Sequence, residues 1–344
     1  MEISHSGLGN SEAAAATKSV PGGTDLNDPL IWMRALHFAA TASLAGALLF
    51  KTLISDPAVR TAQGDGYMAA IIRRRLAWIV WLSFAFVLVT GAGWFVVQTA
   101  QMTDVPPSAV FTEGAAWNVL LNTDFGNVWA ARAVLAALFA AALVLETGPL
   151  ANVRASSVLS TTLAVSLVGA LAFAGHAAAG SDTEGAVHLS ADILHLVAAA
   201  AWLGALLPLA MLLSAAYSKN DAMSIRIART ATLRFSVLGV VSVGTLVATG
   251  IINSWFLVGS IDALASTDYG RLLSLKVVLF FVMLSIAAFN RLRLTPRIVE
   301  KPGAVQRAAA LRQLRNNSLM EAALGLIILF LVGMLGTLPP ALHE

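Results

Sequence analysis

Six histidines and no cysteine bound the chemistry open to this chain. His188 and His195 stand seven residues apart, nearly two helical turns, so on a helix both project from one face. Asp192 lies between them on the same face. His176 comes shortly before, in Ala174-Gly175-His176-Ala177, ahead of an acidic stretch with Asp182 and Glu184. Imidazole suits Cu, Zn, Fe or Ni. A carboxylate either adds a ligand or orients an imidazole. Without cysteine there are no disulfides, thiolate metal sites or iron–sulfur clusters. His176, His188, Asp192 and His195 are therefore the expected metal-loading set, with His37 joining from a distant segment. Met33, one turn before His37, and Met334 are weaker candidates. Thioethers suit Cu(I), but they also fill gaps in helix packing, and Met283 is read that way. His5 and His343 sit near the chain ends and are assigned no role. For each imidazole alone, a hydrogen-bonded packing residue is the plain alternative.

The elements that carry these residues are set by lipid. The chain of 344 residues is 58% hydrophobic and 12% charged, with a mean hydropathy of +0.77. A soluble domain carries about 25% charged residues, so half that number cannot cover a water-facing surface. Eight apolar runs are long enough for the roughly 20 residues that a bilayer core needs. They lie near 30–53, 76–99, 125–146, 156–177, 189–214, 234–258, 270–290 and 318–338. None alternates as a barrel strand does, so an all-α integral membrane protein of eight transmembrane helices is expected.

Loop charge sets the orientation. Lys51, Arg60, Arg73, Arg74 and Arg75 follow the first run, and Arg154 falls in the third loop. Lys219, Arg226, Arg229 and Arg234 fall in the fifth, and Arg291 to Arg315 crowd the seventh. The alternate loops carry Asp104, Glu113, Asp124, Asp182, Glu184, Asp262 and Asp268. Both termini are expected outside the cytoplasm, with every histidine on that outer side. The net charge of +3 and a pI near 9.5 are thereby explained by orientation rather than by nucleic acid. Residues 1–29 lack the charged and apolar regions of a signal peptide and read as a flexible outer tail.

The two halves repeat. Leu36-His37 matches Leu194-His195, and nine residues after each histidine comes Gly46-Ala47-Leu48-Leu49 or Gly204-Ala205-Leu206-Leu207. Thr90-Gly91 with Trp94-Phe95 matches Thr249-Gly250 with Trp255-Phe256. Thr123-Asp124-Phe125-Gly126 matches Thr267-Asp268-Tyr269-Gly270, with Arg132 and Lys276 at one offset behind them. Leu167-Val168-Gly169 matches Leu331-Val332-Gly333. Four helices per half keep both halves in one orientation. A parallel 4+4 internal repeat about an axis along the membrane normal follows, and transporters often bind substrate at such an interface. The chain divides at about residue 150, with 30–150 holding the first repeat and 151–344 the fourth span and the second repeat. A duplicated scaffold without transport is the alternative.

Other polar groups fall within the spans. Arg132 and Lys276 are read as structural, snorkelling or pairing with outer acids such as Asp124 or Asp268. Neutralising Asp192, or gating against cations, are the other readings. Arg34 is expected to snorkel to the outer headgroups. Glu321 and Asn290 lie nearer the inner surface as possible exit-path residues. Trp78, Trp94, Trp117, Trp129 and Trp255 read as interfacial anchors.

The run Ala191-Asp192-Ile193-Leu194-His195-Leu196, then Ala201-Trp202-Leu203-Gly204-Ala205-Leu206, resembles the central signature of the copper resistance protein D family. The resemblance continues through Leu233-Arg234-Phe235-Ser236, Thr249-Gly250-Ile251-Ile252-Asn253, Tyr269-Gly270-Arg271-Leu272-Leu273-Ser274-Leu275-Lys276 and Leu335-Gly336-Thr337-Leu338-Pro339-Pro340, covering roughly 155–340. It implies a bacterial inner-membrane protein that moves copper from periplasm to cytoplasm, beside a small periplasmic copper-binding protein of the type called C. No fused copper-binding domain is visible, so a separate periplasmic donor is the expected partner. No phosphate-binding loop is present, which argues against an ATP-driven pump, and no nucleophile–base pair points to an enzyme. Two other classes stay open. His37 and His195 at equal depth could be axial ligands of a b-type haem in an electron-transfer protein. A non-transporting membrane partner of a copper chaperone is the third.

Overall fold

In lipid an unpaired backbone amide has no water to turn to, so each long apolar run closes its hydrogen bonds within itself as a helix. The computed structural model describes residues 26–63, 66–147, 153–175, 183–299 and 303–341. Among these there is no strand, and eight helices are long and apolar enough to cross a membrane.

The first span is α1 (Pro29–Phe50), a π-helical turn (Lys51–Ser55) and α2 (Asp56–Thr61). It starts where Asp28 accepts the Leu30 amide at 2.9 Å with Pro29 at the first position. The second is α3 (Gly66–Thr103). A short α4 (Ala115–Asn122) leads into α5 (Asp124–Thr147), and α6 (Val153–Gly169) is followed by a 3₁₀ turn (Ala172–Ala174). The second half is α7 (Thr183–Lys219), α8 (Ala222–Val258), a short α9 (Ala263–Ser266) and α10 (Asp268–Phe289). A second π-helical turn (Asn290–Leu294), α11 (Thr295–Val299) and α12 (Ala304–Leu335) complete it. Asp221 caps α8, and hydrogen bonds from the Ser224 amide and hydroxyl hold its exposed carboxyl below the usual carboxylate range.

Several helices outrun the apolar runs. Arg73, Arg74 and Arg75 lie inside α3, Arg226, Arg229 and Arg234 inside α8, and Arg307, Arg312 and Arg315 inside α12, not in loops. Hydropathy reports the thickness of lipid; the helix continues into water because arginine is a good helix former. The π turns precede Asp56-Pro57 and Thr295-Pro296. Pro57 has no amide hydrogen to give the Leu53 carbonyl four residues back, and Arg234 donates to that carbonyl at 3.2 Å.

At the centre, α1 packs on α3, α6, α7 and α12, and α7 packs on α1, α6, α8 and α12. Their crossing is as close as backbones permit. A Cβ on Gly46 would stand 2.6 Å from the Ala200 carbonyl oxygen and nearer still to the Gly204 backbone. One on Gly204 would stand 2.9 Å from Gly46 Cα and collide with the Ala42 carbonyl. Ala42 and Ala200 each lie five residues after a histidine, and Gly46 and Gly204 nine. Helices α5, α8 and α10 lie further out, exposing Leu138, Val144, Val237, Val241, Val278 and Phe281.

Gly204→Val forces this crossing apart at a cost of about 1–3 kcal/mol for overpacking. We expect a lower thermal midpoint in detergent than for Gly239→Val, where an added Cβ meets nothing within 4 Å. Equal midpoints for the two variants would rule out the tight contact.

Candidate metal-loading site

Each half holds one imidazole against a threonine. His37 on α1 is buried, and its Nδ1 lies 3.0 Å from Thr90 Oγ1 on α3. Thr90 Oγ1 donates its own proton to the Phe86 carbonyl at 2.5 Å, so it accepts from Nδ1–H. His195 on α7 repeats this, with Nδ1 3.0 Å from Thr249 Oγ1 and that hydroxyl donating to the Thr245 carbonyl at 2.7 Å. The glycine after each threonine lies against the ring. A Cβ on Gly91 would stand 3.2 Å from His37 Cε1, and one on Gly250 3.6 Å from His195 Cε1. Both imidazoles thus carry a proton on Nδ1, and at His37 the facing guanidinium leaves the lone pair on Nε2.

The two lone pairs meet different fates. Arg132 Nη2 lies 2.6 Å from His37 Nε2, and Arg132 Nη1 donates to the Leu167 carbonyl at 2.9 Å. The guanidinium does not reach for Asp124; it is buried, 5.4 Å over the Trp129 ring. Trp94 and Trp129 close round His37 with ring centroids 5.7 and 5.8 Å away. Trp94 is fully buried rather than interfacial. Both ring nitrogens of His37 are therefore taken, and any metal or haem iron at Nε2 must first displace Arg132.

His195 is only half-buried, and no hydrogen bond to its Nε2 occurs among the described residues. Polar groups of α7, α8 and α10 lie around it. Asp192, one turn before it, accepts from Asn253 Nδ2 at 3.2 Å. Lys276 of α10 is close enough for its charge to act on both Asp192 and His195. Among the described residues Lys276 is in no ion pair, and Asp268 pairs with Arg271 at 3.3 Å. His188 stacks on Phe256 at 4.9 Å with an interplanar angle of 19°.

The sequence reading missed a divergence between the halves. Three residues before the histidines stand Arg34 and Asp192; four after the threonines stand Trp94 and Asn253. These positions touch in both halves. Arg34 lies 4.8 Å over Trp94, and Asn253 bonds to Asp192. Arg34 does not snorkel; it is buried against Gly336, where a side chain would collide with the guanidinium. The signal was the shared offset, which puts each pair one turn from the histidine–threonine contact.

The other expected ligands scatter. Met33 packs with Trp94, Phe38 and Leu30, and Met334 with Ile31 and Leu331, in separate apolar clusters. His176 lies outside the described residues, as do His5, Asp182 and His343. Among the described residues no three His, Asp or Glu side chains are grouped to hold a metal ion.

Two family profiles match the chain. Copper resistance protein D matches residues 229–335, and the copper resistance protein D-like N-terminal domain matches residues 25–189. Copper resistance protein D of Pseudomonas syringae pv. tomato is 31% identical over 232 residues, 65% of this chain and 72% of that protein. Inner membrane protein YebZ of Escherichia coli (strain K12) is 26% identical over 310 residues, 90% of this chain and 98% of its own. Copper transport protein CutJ of Bacillus subtilis (strain 168) is 30% identical over 198 residues, only 35% of its length. No solved structure matches.

Arg132→Gln leaves the buried His37 lone pair without its guanidinium. Each buried polar group left unsatisfied costs about 1–3 kcal/mol, so the thermal midpoint of the purified protein should fall. Thr249→Val, beside the partly exposed His195, should lower it less. An unchanged midpoint for Arg132→Gln means the guanidinium does not hold His37.

Proposed function

The chain belongs to the copper resistance protein D family of multi-pass membrane proteins, and from that membership and the cleft beside His195 we propose that it carries copper across the bacterial inner membrane from periplasm to cytoplasm. One observation carries the reading. In the second half the Asp192 carboxylate and the His195 imidazole lie one turn apart, both partly exposed and with no guanidinium on them, while in the first half the corresponding region is closed by two guanidinium groups and two indoles, which we read as an open cleft facing a sealed one. Copper is the cargo. It loads at Asp192 and His195, with His188 and His176 completing the set. Lys276 neutralises Asp192 while the cleft is empty and yields to the incoming cation, which makes it a gate as well as a charge partner. His37 joins the inward path when Arg132 releases Nε2.

We further read the bundle as a 4+4 parallel repeat with both termini outside, an arrangement that suits transport. Its support is the reciprocal crossing of Gly46 and Gly204 and the matched histidine–threonine contacts. So is the crowding of arginines at one end of the bundle. A periplasmic copper-binding protein of type C is the donor that fits a loading site on the outer face.

Two measurements test these points. Copper uptake into proteoliposomes should fall about tenfold or more in His195→Ala and in Asp192→Asn, the scale of losing a metal-site partner. Uptake equal to wild type in both would end the proposal of this cleft. The chain has no native cysteine, so single cysteines report topology. Ile261→Cys, at a residue 86% exposed between α8 and α9, should react with an impermeant maleimide in intact cells. Val305→Cys, at a residue 84% exposed at the start of α12, should react only after the membrane is opened. The reverse pattern inverts the transport direction.

A further inference from the structure

A second polar centre lies at the arginine-rich end of the bundle, away from the histidines. Glu321 on α12 is 2% exposed. Its Oε1 accepts from Asn290 Nδ2 at 2.7 Å, and Asn290 Oδ1 accepts from Asn317 Nδ2 at 2.6 Å. Its Oε2 is buried with no hydrogen-bond partner. Asn290 opens the π-helical turn after α10, and its carbonyl is taken by Thr295 Oγ1 at 3.0 Å. The π turn thus presents the amide to Glu321; such turns recur at functional sites.

Among the described residues no cation pairs with this carboxyl. The ion pairs among the described residues are Lys51–Glu146 and Arg271–Asp268. The charged groups on neighbouring elements turn elsewhere: Arg291 to Ser236, Arg315 to Asn316, and Arg234 of α8 to the Leu53 carbonyl. The apolar clusters on either side are built from Trp202, Leu206, Leu209, Phe235 and Met283. A bare carboxylate with an unpaired oxygen is a costly state here. The carboxyl therefore needs a positive occupant at Oε2, and a proton is the smallest.

Resting on the copper reading above, we propose that Glu321, held by Asn290 and Asn317, is a proton-binding station at which the transported cation and a proton replace one another. An arriving copper ion takes the place of the proton on Oε2, and the proton passes to water. When copper leaves inward, the carboxyl takes up a proton again. The residue holds one or the other, and each copper ion is exchanged for one proton.

Glu321→Gln keeps the shape and an acceptor for Asn290 but removes the exchangeable proton. The copper-free, full-length wild-type protein should show the infrared carbonyl band of a protonated carboxyl at neutral pH, and the variant should lack it. Addition of a copper salt to weakly buffered protein should release about one proton fewer per chain from the variant than from wild type. A band that survives in the variant, or equal proton release, overturns the proposal. If wild type shows the band but binds no copper, the copper reading falls and the exchange with it, while the buried acid stands.

Discussion

Gly46 and Gly204 have no side chains, and the arrangement of the bundle depends on that. In lipid there is no hydrophobic gain from pressing one apolar helix on another, so association comes from close backbone packing and from hydrogen bonds. Bringing α1 and α7 to backbone contact places both histidine helices at the centre. The same economy recurs where helices of different halves meet. Gly333 of α12 seats against Ile31 and Ala35 of α1, and Gly169 of α6 against Ile193 of α7. Each last span of a half thus leans on the central helix of the other half.

Around that crossing, identical backbone relations carry opposite chemistry. An imidazole in lipid must place one N–H and one lone pair. Threonine takes the N–H in both halves because its hydroxyl can accept while donating to its own helix. The lone pair is where the halves part. Arg132 has several donors in a rigid fork and spans His37 and the Leu167 carbonyl at once, which seals the centre. Lys276, at the matching offset, offers a single point charge on a flexible stem, and His195 stays partly exposed. Exchanging Arg34 and Trp94 for Asp192 and Asn253 turns a cation lying over an indole into a carboxylate held by an amide. One half holds positive charges of its own against its histidine; the other presents a carboxylate one turn away.

The spans, their number and the charge asymmetry were legible because lipid leaves few solutions: apolar length and arginine position are one-dimensional quantities. The matched motifs were legible for the same reason. What one sequence does not carry is rotation about each helix axis. Arg132 and Arg34 have the composition of snorkelling residues, and only the neighbours, His37 in one case and the side-chain-free Gly336 in the other, make burial cheaper. Trp94 suits an interface by type, yet it stands one turn behind Thr90 and so had to face whatever Thr90 faces. The described members of the expected ligand set do not form a cluster of three, for a related reason. His188, Asp192 and His195 share a helix face, but residues stacked along one face are spread over about 10 Å at 1.5 Å per residue, and a second helix must supply the rest.

The contrast between halves extends to the arginine-rich end. Fourteen residues behind Arg132 stands Glu146, and fourteen behind Lys276 stands Asn290. Glu146 is paired with Lys51 at the π turn that ends α1. In the second half the acid has moved across to Glu321 on α12, and the amide of Asn290 holds it without neutralising it. The first half is therefore closed by an internal cation at both levels, Arg132 beside His37 and Lys51 beside Glu146. The second half has an acid at each level, Asp192 and Glu321, and among the described residues neither is in an ion pair. The matched positions of the two halves thus differ in charge at both levels: cations hold the first, and amides hold the acids of the second.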